Sequence, residues 1–197
     1  TTSAAAALED GGILDFRTPI PVAQGAVGIR QQEAVFLHVK ALSQLVSQLM
    51  EALHQLGGAA IAGVGYSYAP TTQEGSYMPV FLPGTSMGRS LAAALDCPSF
   101  GFSHQQGHIA AALWSAGRMD LLYQRHPAWH LSGGTTELLL VENQAGALTA
   151  QKLGGTTDIS AGQLIDRTGK LLSLQPGHKS CHLQPQCMKD LSVLHSR

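Results

Sequence analysis

Apolar residues recur every three or four positions between residues 31 and 56, and this pattern predicts the longest helix of the chain. The recurring positions are Val35, His38, Val39, Leu42, Leu45, Val46, Leu49 and Leu53. Gly57 and Gly58 follow directly, and glycine often ends a helix. We therefore expect one long helix over residues 31–56.

Shorter apolar runs, separated by segments rich in Gly and Pro, predict the remaining elements. Strands are expected at residues 3–8, 13–22, 60–66, 99–103, 128–131, 136–142 and 147–153, and helices at 86–95, 104–115 and 160–172. In each half of the predicted order of elements, antiparallel strands come first and helices follow. This order differs from a simple βαβ repeat. The pattern fits two copies of a mixed α/β unit of the ribonuclease-H type.

The composition is that of a folded chain, with 44% hydrophobic and 13% charged residues, and this excludes intrinsic disorder. The formal net charge of −1 provides no global basic field that would attract nucleic acid. The three cysteines, Cys97, Cys181 and Cys187, cannot form a disulfide framework. This cysteine content indicates a reducing compartment and predicts a cytoplasmic protein.

Two long stretches, residues 52–73 and 97–117, carry no formal charge. Gly, Pro and polar residues interrupt the first, and histidines and glutamines interrupt the second, so neither is expected to span a membrane. No basic segment followed by an apolar one stands at the start. The sequence begins at Thr1 without methionine, and we expect that it is a fragment of a longer protein.

The first candidate site is the segment His104-Gln105-Gln106-Gly107-His108. Histidines at positions i and i+4 lie on one face of a helix and can bind one metal ion through their imidazole nitrogens. They follow a predicted strand at its carboxyl end, where open α/β sheets place their ligands. Two surface histidines without a metal are the alternative. A zinc peptidase would need Glu after the first histidine, and Gln105 cannot accept a proton.

The second candidate site is the segment from His130 to Thr136, which reads His-Leu-Ser-Gly-Gly-Thr-Thr. Glycines without Cβ atoms let backbone N–H groups and hydroxyls approach a phosphate closely. A plain turn between two strands is an equally good interpretation of the same residues.

Two further segments carry candidate residues. Gly154-Gly155-Thr156-Thr157-Asp158 precedes a predicted helix that contains Asp166. Asp166 could accept ribose hydroxyls or be a solvated helix residue, and Asp158 is expected to be the N-terminal cap. In the tail, the residue types suit zinc but their spacing matches no common zinc finger, so no site is predicted for His178, Cys181, His182 and Cys187.

Together these motifs resemble the tRNA threonylcarbamoyladenosine transferase family, formerly called glycoprotease or O-sialoglycoprotein endopeptidase. The likeness runs from residue 1 to about residue 177 in the family's order. The segments that carry it are Thr1-Thr2-Ser3, Gly88-Arg89-Ser90-Leu91, His104-Gln-Gln-Gly-His108, Leu131-Ser-Gly-Gly-Thr-Thr-Glu137 and Asp158-Ile-Ser-Ala-Gly-Gln-Leu-Ile-Asp166. The residues around Glu74 and after Gly134 are similar to those of a divergent bacterial subgroup of this family. This sequence would be a truncated member of that subgroup.

The resemblance implies an actin-like ATPase fold made of two ribonuclease-H-like lobes, incomplete here at both ends. Residues 1–127 would form the first lobe, without its first strand. Residues 128–175 would begin the second lobe, and residues 176–197 would be an atypical tail.

The resemblance also implies the roles of the site residues. His104 and His108 would bind one divalent metal ion, zinc or iron. The phosphate end of threonylcarbamoyl-AMP, or ATP, would be bound by His130, Leu131, Ser132, Gly133 and Gly134. Asp166 would contact the nucleoside. A glycine of the family's Pro-Gly-Gly segment would match Gly177 or His178, and Gly177 is the predicted site residue.

The implied reaction is acyl transfer, in which N6 of a tRNA adenosine attacks the carbamoyl carbonyl and AMP leaves. The metal would orient and polarise that group. The family also implies that tRNA is reached through partner proteins of a threonylcarbamoylation complex, without a membrane.

This chain departs from the family at several points. Gln106 replaces the Glu of the family's His-x-Glu-Gly-His motif, and an unrelated sequence follows Pro176. The family's later aspartate metal ligand and nucleoside-binding asparagine are not found. These differences predict that the chain alone is inactive. They leave a non-catalytic nucleotide-binding scaffold as the alternative to a transferase, with a metallopeptidase as the third possibility.

Overall fold

The structure is a computed structural model that describes residues 1–21, 29–58, 60–144 and 146–171, with the backbone alone at Lys170. The predicted site residue Gly177 and the cysteines and histidines of the tail lie outside the described residues. The chain is a mixed α/β protein, and it divides into two compact units between Ala111 and Ala112.

The first unit begins with a hairpin that packs on the long helix. Strands β1 (Thr2–Ala7) and β2 (Ile13–Thr18) are antiparallel, and helix α1 (Gln31–Gln55) contacts both. The predicted helix is confirmed, and the buried residues of its apolar face are Ala34, Leu42, Leu45 and Leu53. Val39, which the pattern placed on this face, has 57% of its surface exposed. The buried stripe is therefore narrower than the sequence pattern.

The same unit contains a parallel pair of strands, β3 (Val64–Ala69) and β4 (Ser99–Ser103), with helix α2 (Leu82–Ala94) against it. The predicted strand at 60–66 was wrong in position, because pairing with β4 starts at Val64, whose N–H donates to the Pro98 carbonyl. Helix α2 starts four residues before the prediction, since Pro stands in its first turn, where its missing N–H costs nothing.

Glycine allows α2 to approach the sheet closely. A Cβ on Gly88 would lie 2.8 Å from the Cβ of Tyr66, which is closer than carbon atoms pack. A side chain at position 88 would therefore push α2 away from β3.

Helix α3 (His104–Ser115) begins in the first unit and ends in the second. The second unit also contains the antiparallel strands β5 (His126–Leu131), β6 (Thr136–Gln144) and β7 (Ala147–Gly155) and helix α4 (Ala161–Leu171). This confirms the predicted three-stranded meander. Its core is at the middle of β6, where Leu139 and Val141 are 1% and 0% exposed.

Among the described residues, no helix has both the length and the apolar character that crossing a bilayer requires.

Candidate functional site

The two histidines lie at the start of α3, which follows β4 without an intervening loop. Ser103, the last residue of β4, is fully buried, and its hydroxyl accepts a hydrogen bond of 3.2 Å from the N–H of Gln106. In return, the Ser103 N–H donates to Oε1 of Gln106 over 2.6 Å. This reciprocal pair is a capping box, and it fixes where the helix begins.

The capping box also gives a physical reason for Gln106. Either Glu or Gln at the third helical position can accept the N–H of the capping serine. Gln106 is 9% exposed, and its side chain is held by the capping box. The difference from the family's Glu therefore preserves a structural role.

The cap orients α3 so that the histidine pair (His104 and His108) is exposed while Gln105 and Ile109 are buried. The two Nε2 atoms lie 2.9 Å apart, and the rings meet edge to face with centroids separated by 4.3 Å. Phe81 lies on the other side of His104, with ring centroids 6.0 Å apart. The predicted convergence of the two imidazoles is therefore present.

The distance between the two nitrogens is close to that expected for two imidazoles that share a zinc ion. Two nitrogens bound tetrahedrally at about 2.0–2.1 Å from a zinc ion lie about 3.3 Å apart. The 2.9 Å separation here requires only a small opening of the pair. Within the residues that the structure describes, no third His, Cys, Asp or Glu joins these two in a metal-binding group. Metal binding by His104 and His108 stays a prediction.

The second site is the loop between β5 and β6, called here the glycine loop (residues 132–135). The hydroxyl of Ser132 accepts hydrogen bonds from the N–H groups of Gly134 and Thr135, at 3.2 and 2.9 Å. The Ser132 N–H donates to the Thr135 carbonyl over 2.8 Å. The serine hydroxyl therefore shapes the loop from within.

Gly133 and Gly134 are exposed, and neither has a positive φ. A Cβ on either residue would meet no atom within 4 Å. The conformation of the turn therefore does not need glycine at these positions. A ligand that contacts the backbone closely would need it, because a Cβ would stand in its way.

Helix α4 begins against the glycine loop. Ser160 donates its hydroxyl to the Gly133 carbonyl over 2.7 Å, and the Gly162 N–H donates to the Ser132 carbonyl over 3.3 Å. The Ala161 N–H donates to Oγ1 of Thr136 over 2.7 Å. The end of β5, the start of β6 and the start of α4 thus form one hydrogen-bonded structure.

The expected cap at Asp158 was wrong. Asp158 is exposed, and the helix starts at Ala161, so the capping position belongs to Ser160. The Ser160 hydroxyl accepts the N–H of Gln163 over 3.3 Å, as a helix-capping serine does.

Glycine is required at position 162. A Cβ there would lie 2.6 Å from the Gly133 Cα and 2.8 Å from the Ser132 carbonyl oxygen. Asp166 follows one turn later on the same face of α4, and its side chain leans toward the helix N-terminus. The structure therefore puts Asp166 on the helix face that borders the glycine loop, where it is exposed.

His130 lies on β5 opposite Glu137 of β6, and Glu137 also contacts Lys152 of β7. Its Nδ1 is 3.7 Å from a Glu137 oxygen, and the other oxygen of Glu137 accepts from Lys152 Nζ over 2.9 Å. The histidine pair belongs to the first unit, whereas His130, the glycine loop and Asp166 belong to the second.

The sequence analysis included Thr136 in the candidate segment but did not predict that Ser160 and Gly162 hold the glycine loop. A signal for both was present. Serine immediately before a helical pattern is a capping residue, and glycine within the first helical turn marks a close approach.

The sequence of the chain matches a protein-family model over residues 18–191, and that model describes tRNA N6-adenosine threonylcarbamoyltransferase. The chain belongs to this family. The tRNA N6-adenosine threonylcarbamoyltransferase of Thiobacillus denitrificans is 34% identical to it over 141 residues, which are 70% of this chain and 37% of that protein. The chain thus spans about 37% of the length of that curated relative.

A solved structure, YeaZ from Pseudomonas aeruginosa, is also similar to this chain, with a TM-score of 0.40 and 19% sequence identity. The alignment covers 78% of this chain and 60% of YeaZ.

Membership of the threonylcarbamoyltransferase family confirms the resemblance inferred from the motifs, and with it a transferase family of tRNA processing. The peptidase alternative is not favoured. The residue after His104, where a zinc peptidase has its base, is Gln105, which is 5% exposed.

Proposed function

We propose that this chain provides the metal-binding and phosphate-binding elements of a tRNA N6-adenosine threonylcarbamoyltransferase. In the reaction, N6 of a tRNA adenosine attacks the carbamoyl carbon of threonylcarbamoyl-AMP. A bond forms between N6 and that carbon, and the bond from the carbon to the phosphate oxygen breaks. N6 gives up a proton to water, and AMP leaves with the electron pair of the broken bond. The observation that carries the proposal is the convergence of the two Nε2 atoms of the histidine pair, in a chain of this family.

The proposed metal site consists of His104 and His108, and the family's later aspartate ligand would complete it in the intact protein. A bound zinc or iron ion would polarise and orient the threonylcarbamoyl group. The chain's own contribution is to hold the two imidazoles on one exposed helix face, with the capping box fixing the helix start.

The proposed phosphate site is the glycine loop. Exposed glycine backbone with open space above it lets an anion approach without meeting a side chain. The segment 130–134 would receive the phosphate of threonylcarbamoyl-AMP or ATP, Asp166 would accept a ribose hydroxyl, and Gly177 would lie near the nucleoside. Ser132 would act chiefly by holding the loop, because its hydroxyl already accepts two backbone N–H groups.

The proposed architecture is the two-lobed actin-like one, with residues 1–127 in the first lobe, residues 128–175 in the second and residues 176–197 as a tail. The formal charge of −1 gives this chain little attraction for a polyanion. Partner proteins in the cytoplasm would therefore bring the tRNA.

The test is transfer of a radiolabelled threonylcarbamoyl group from threonylcarbamoyl-AMP to tRNA by the intact protein with added zinc or iron. We expect transfer by the wild type and none by a His104→Ala/His108→Ala variant. Nucleotide binding without transfer in the wild type would favour the scaffold alternative, and absence of both would contradict the proposal.

A further inference from the structure

The start of α4 holds the backbone of the glycine loop in one orientation. Ser160 is 4% exposed, and it uses its hydroxyl in two directions. The hydroxyl donates to the Gly133 carbonyl over 2.7 Å and accepts the Gln163 N–H over 3.3 Å. A single buried side chain therefore links the cap of the helix to the loop.

The two peptide groups on either side of the Gly133 Cα are fixed by this arrangement. The peptide between Gly133 and Gly134 is held at its carbonyl by Ser160 and at its N–H by Ser132. The preceding peptide is held at the Ser132 carbonyl by the Gly162 N–H. Because a trans peptide directs its carbonyl and N–H to opposite sides, the Gly133 N–H points away from the atom that holds the Ser132 carbonyl.

The Gly133 N–H is the amide that this geometry leaves for a ligand. Among the described residues, no hydrogen bond from it to protein is found, whereas the N–H groups of Ser132, Gly134 and Thr135 all donate within the loop. The first amides of α4 are also occupied, since those of Ala161, Gly162 and Gln163 donate to the loop, to β6 or to the cap.

We propose that Ser160 is a positioning residue for phosphate recognition. Its hydroxyl holds the Gly133 carbonyl, while the Gly162 N–H holds the preceding peptide. Together they fix the backbone on both sides of the Gly133 Cα and direct the Gly133 N–H toward the phosphate of a bound nucleotide. This inference rests on the proposed function of the glycine loop. It adds a residue that does not touch the ligand, and it predicts a defect that is specific for the phosphate.

The experiment compares the affinity of AMP with that of adenosine, measured by calorimetric titration of the intact protein. In the wild type, AMP should bind more tightly than adenosine. In Ser160→Ala and Ser160→Gly, that preference should fall by about 2- to 12-fold, the usual value of one hydrogen bond, while adenosine affinity is retained. Ser160→Thr keeps the hydroxyl and should keep the preference.

The glycine variant separates positioning from capping. Glycine costs only a few tenths of a kcal/mol at a capping position, whereas alanine costs about 1 kcal/mol. If Ser160 only caps the helix, Ser160→Gly should keep the wild-type preference for AMP, and that result would overturn the inference while leaving the proposed function intact. A wild type that binds AMP no better than adenosine would also overturn it. A wild type that binds neither compound would overturn the proposed function and this inference together.

Discussion

The histidine pair and the glycine loop are built in different ways. The pair depends mainly on one helical turn and on a cap four residues long, with Phe81 beside His104 and the Pro70 carbonyl accepting the N–H of Gln105. The glycine loop depends on two segments far apart in sequence, because residues 160–162 hold residues 132, 133 and 136.

This difference determines which substitutions can damage each site. A site formed mainly by neighbouring residues is expected to tolerate most changes elsewhere, and to be most sensitive to changes in its own side chains and its cap. A site assembled from several segments can be damaged by a residue that never meets the ligand. The predictions below test this distinction, beginning with the largest expected effect.

Removing the histidine pair should have the largest effect. His104→Ala/His108→Ala should weaken Zn²⁺ binding by on the order of 100-fold or more, because loss of groups that merely support a ligand already costs about 10- to 100-fold. Isothermal titration with Zn²⁺ measures the affinity. Both side chains are exposed, so the unfolding midpoint without metal should change little.

The control is His54→Ala, which removes another exposed histidine, near the end of α1. It should bind Zn²⁺ like the wild type. Equal Zn²⁺ stoichiometry and affinity in the wild type and in the double variant would refute the metal site.

A methyl group at position 162 should damage the glycine loop from outside it. Gly162→Ala places a carbon 2.6 Å from the Gly133 Cα, so helix or loop must move, and we expect a loss of about 1–3 kcal/mol in unfolding free energy. Both tryptophans, Trp114 and Trp129, lie in the second unit, so their fluorescence during urea unfolding reports on it.

Gly133→Ala is the matched control, because its Cβ would meet nothing within 4 Å. Its unfolding should resemble that of the wild type, while AMP affinity should fall if the loop receives a phosphate. A Gly162→Ala protein as stable as the control would show that helix and loop are not tightly coupled.

The sequence predicted the histidine pair almost completely, because spacing along one helix determines which side chains meet. It also predicted the meander, since alternation and turn residues are local signals. The position of β3 could not be predicted in the same way, because pairing with β4 sets its register. Ser160 and Gly162 were missed as parts of the loop for the same reason. Their importance comes from atoms about 27–30 positions away in sequence.

Removing the capping box should have an effect of intermediate size on the histidine pair. Gln106→Ala leaves the buried Ser103 N–H without its acceptor, and we expect a loss of about 0.5–2 kcal/mol, the range found for helix caps. Fraying of the first turn should also weaken Zn²⁺ binding a few-fold. Circular dichroism at 222 nm during urea unfolding and Zn²⁺ titration measure the two effects.

Gln106→Glu is the conservative control, since Glu accepts the same N–H and carries a charge that suits a helix N-terminus. It should bind Zn²⁺ like the wild type. If alanine and glutamate gave the same unfolding curve as glutamine, the capping box would have no energetic role.

The smallest expected effect concerns a histidine of the first unit that belongs to neither site. His38 lies on α1 with Nδ1 2.9 Å from the Thr2 hydroxyl of β1. Burial lowers the pKa of His38 below its usual value of 6.5. The unfolded state therefore binds a proton more readily than the folded state, and stability rises with pH.

The stabilising contribution of neutral His38 is thus complete above about pH 6.5 and is lost as the pH falls through the lower folded-state pKa. Since much of the side chain is solvated, we expect the melting temperature to fall by only on the order of 1–2 °C more in the wild type than in His38→Gln between pH 7.5 and 5.5. Differential scanning calorimetry in EDTA measures this difference without interference from metal. The difference should persist in the His104→Ala/His108→Ala background, because His38 acts through the packing of α1 on β1 and the exposed pair does not. If the difference disappeared in that background, the histidine pair and not His38 would couple stability to pH. The stability of the first unit would then depend on the histidine pair, contrary to the view of the pair as a local site.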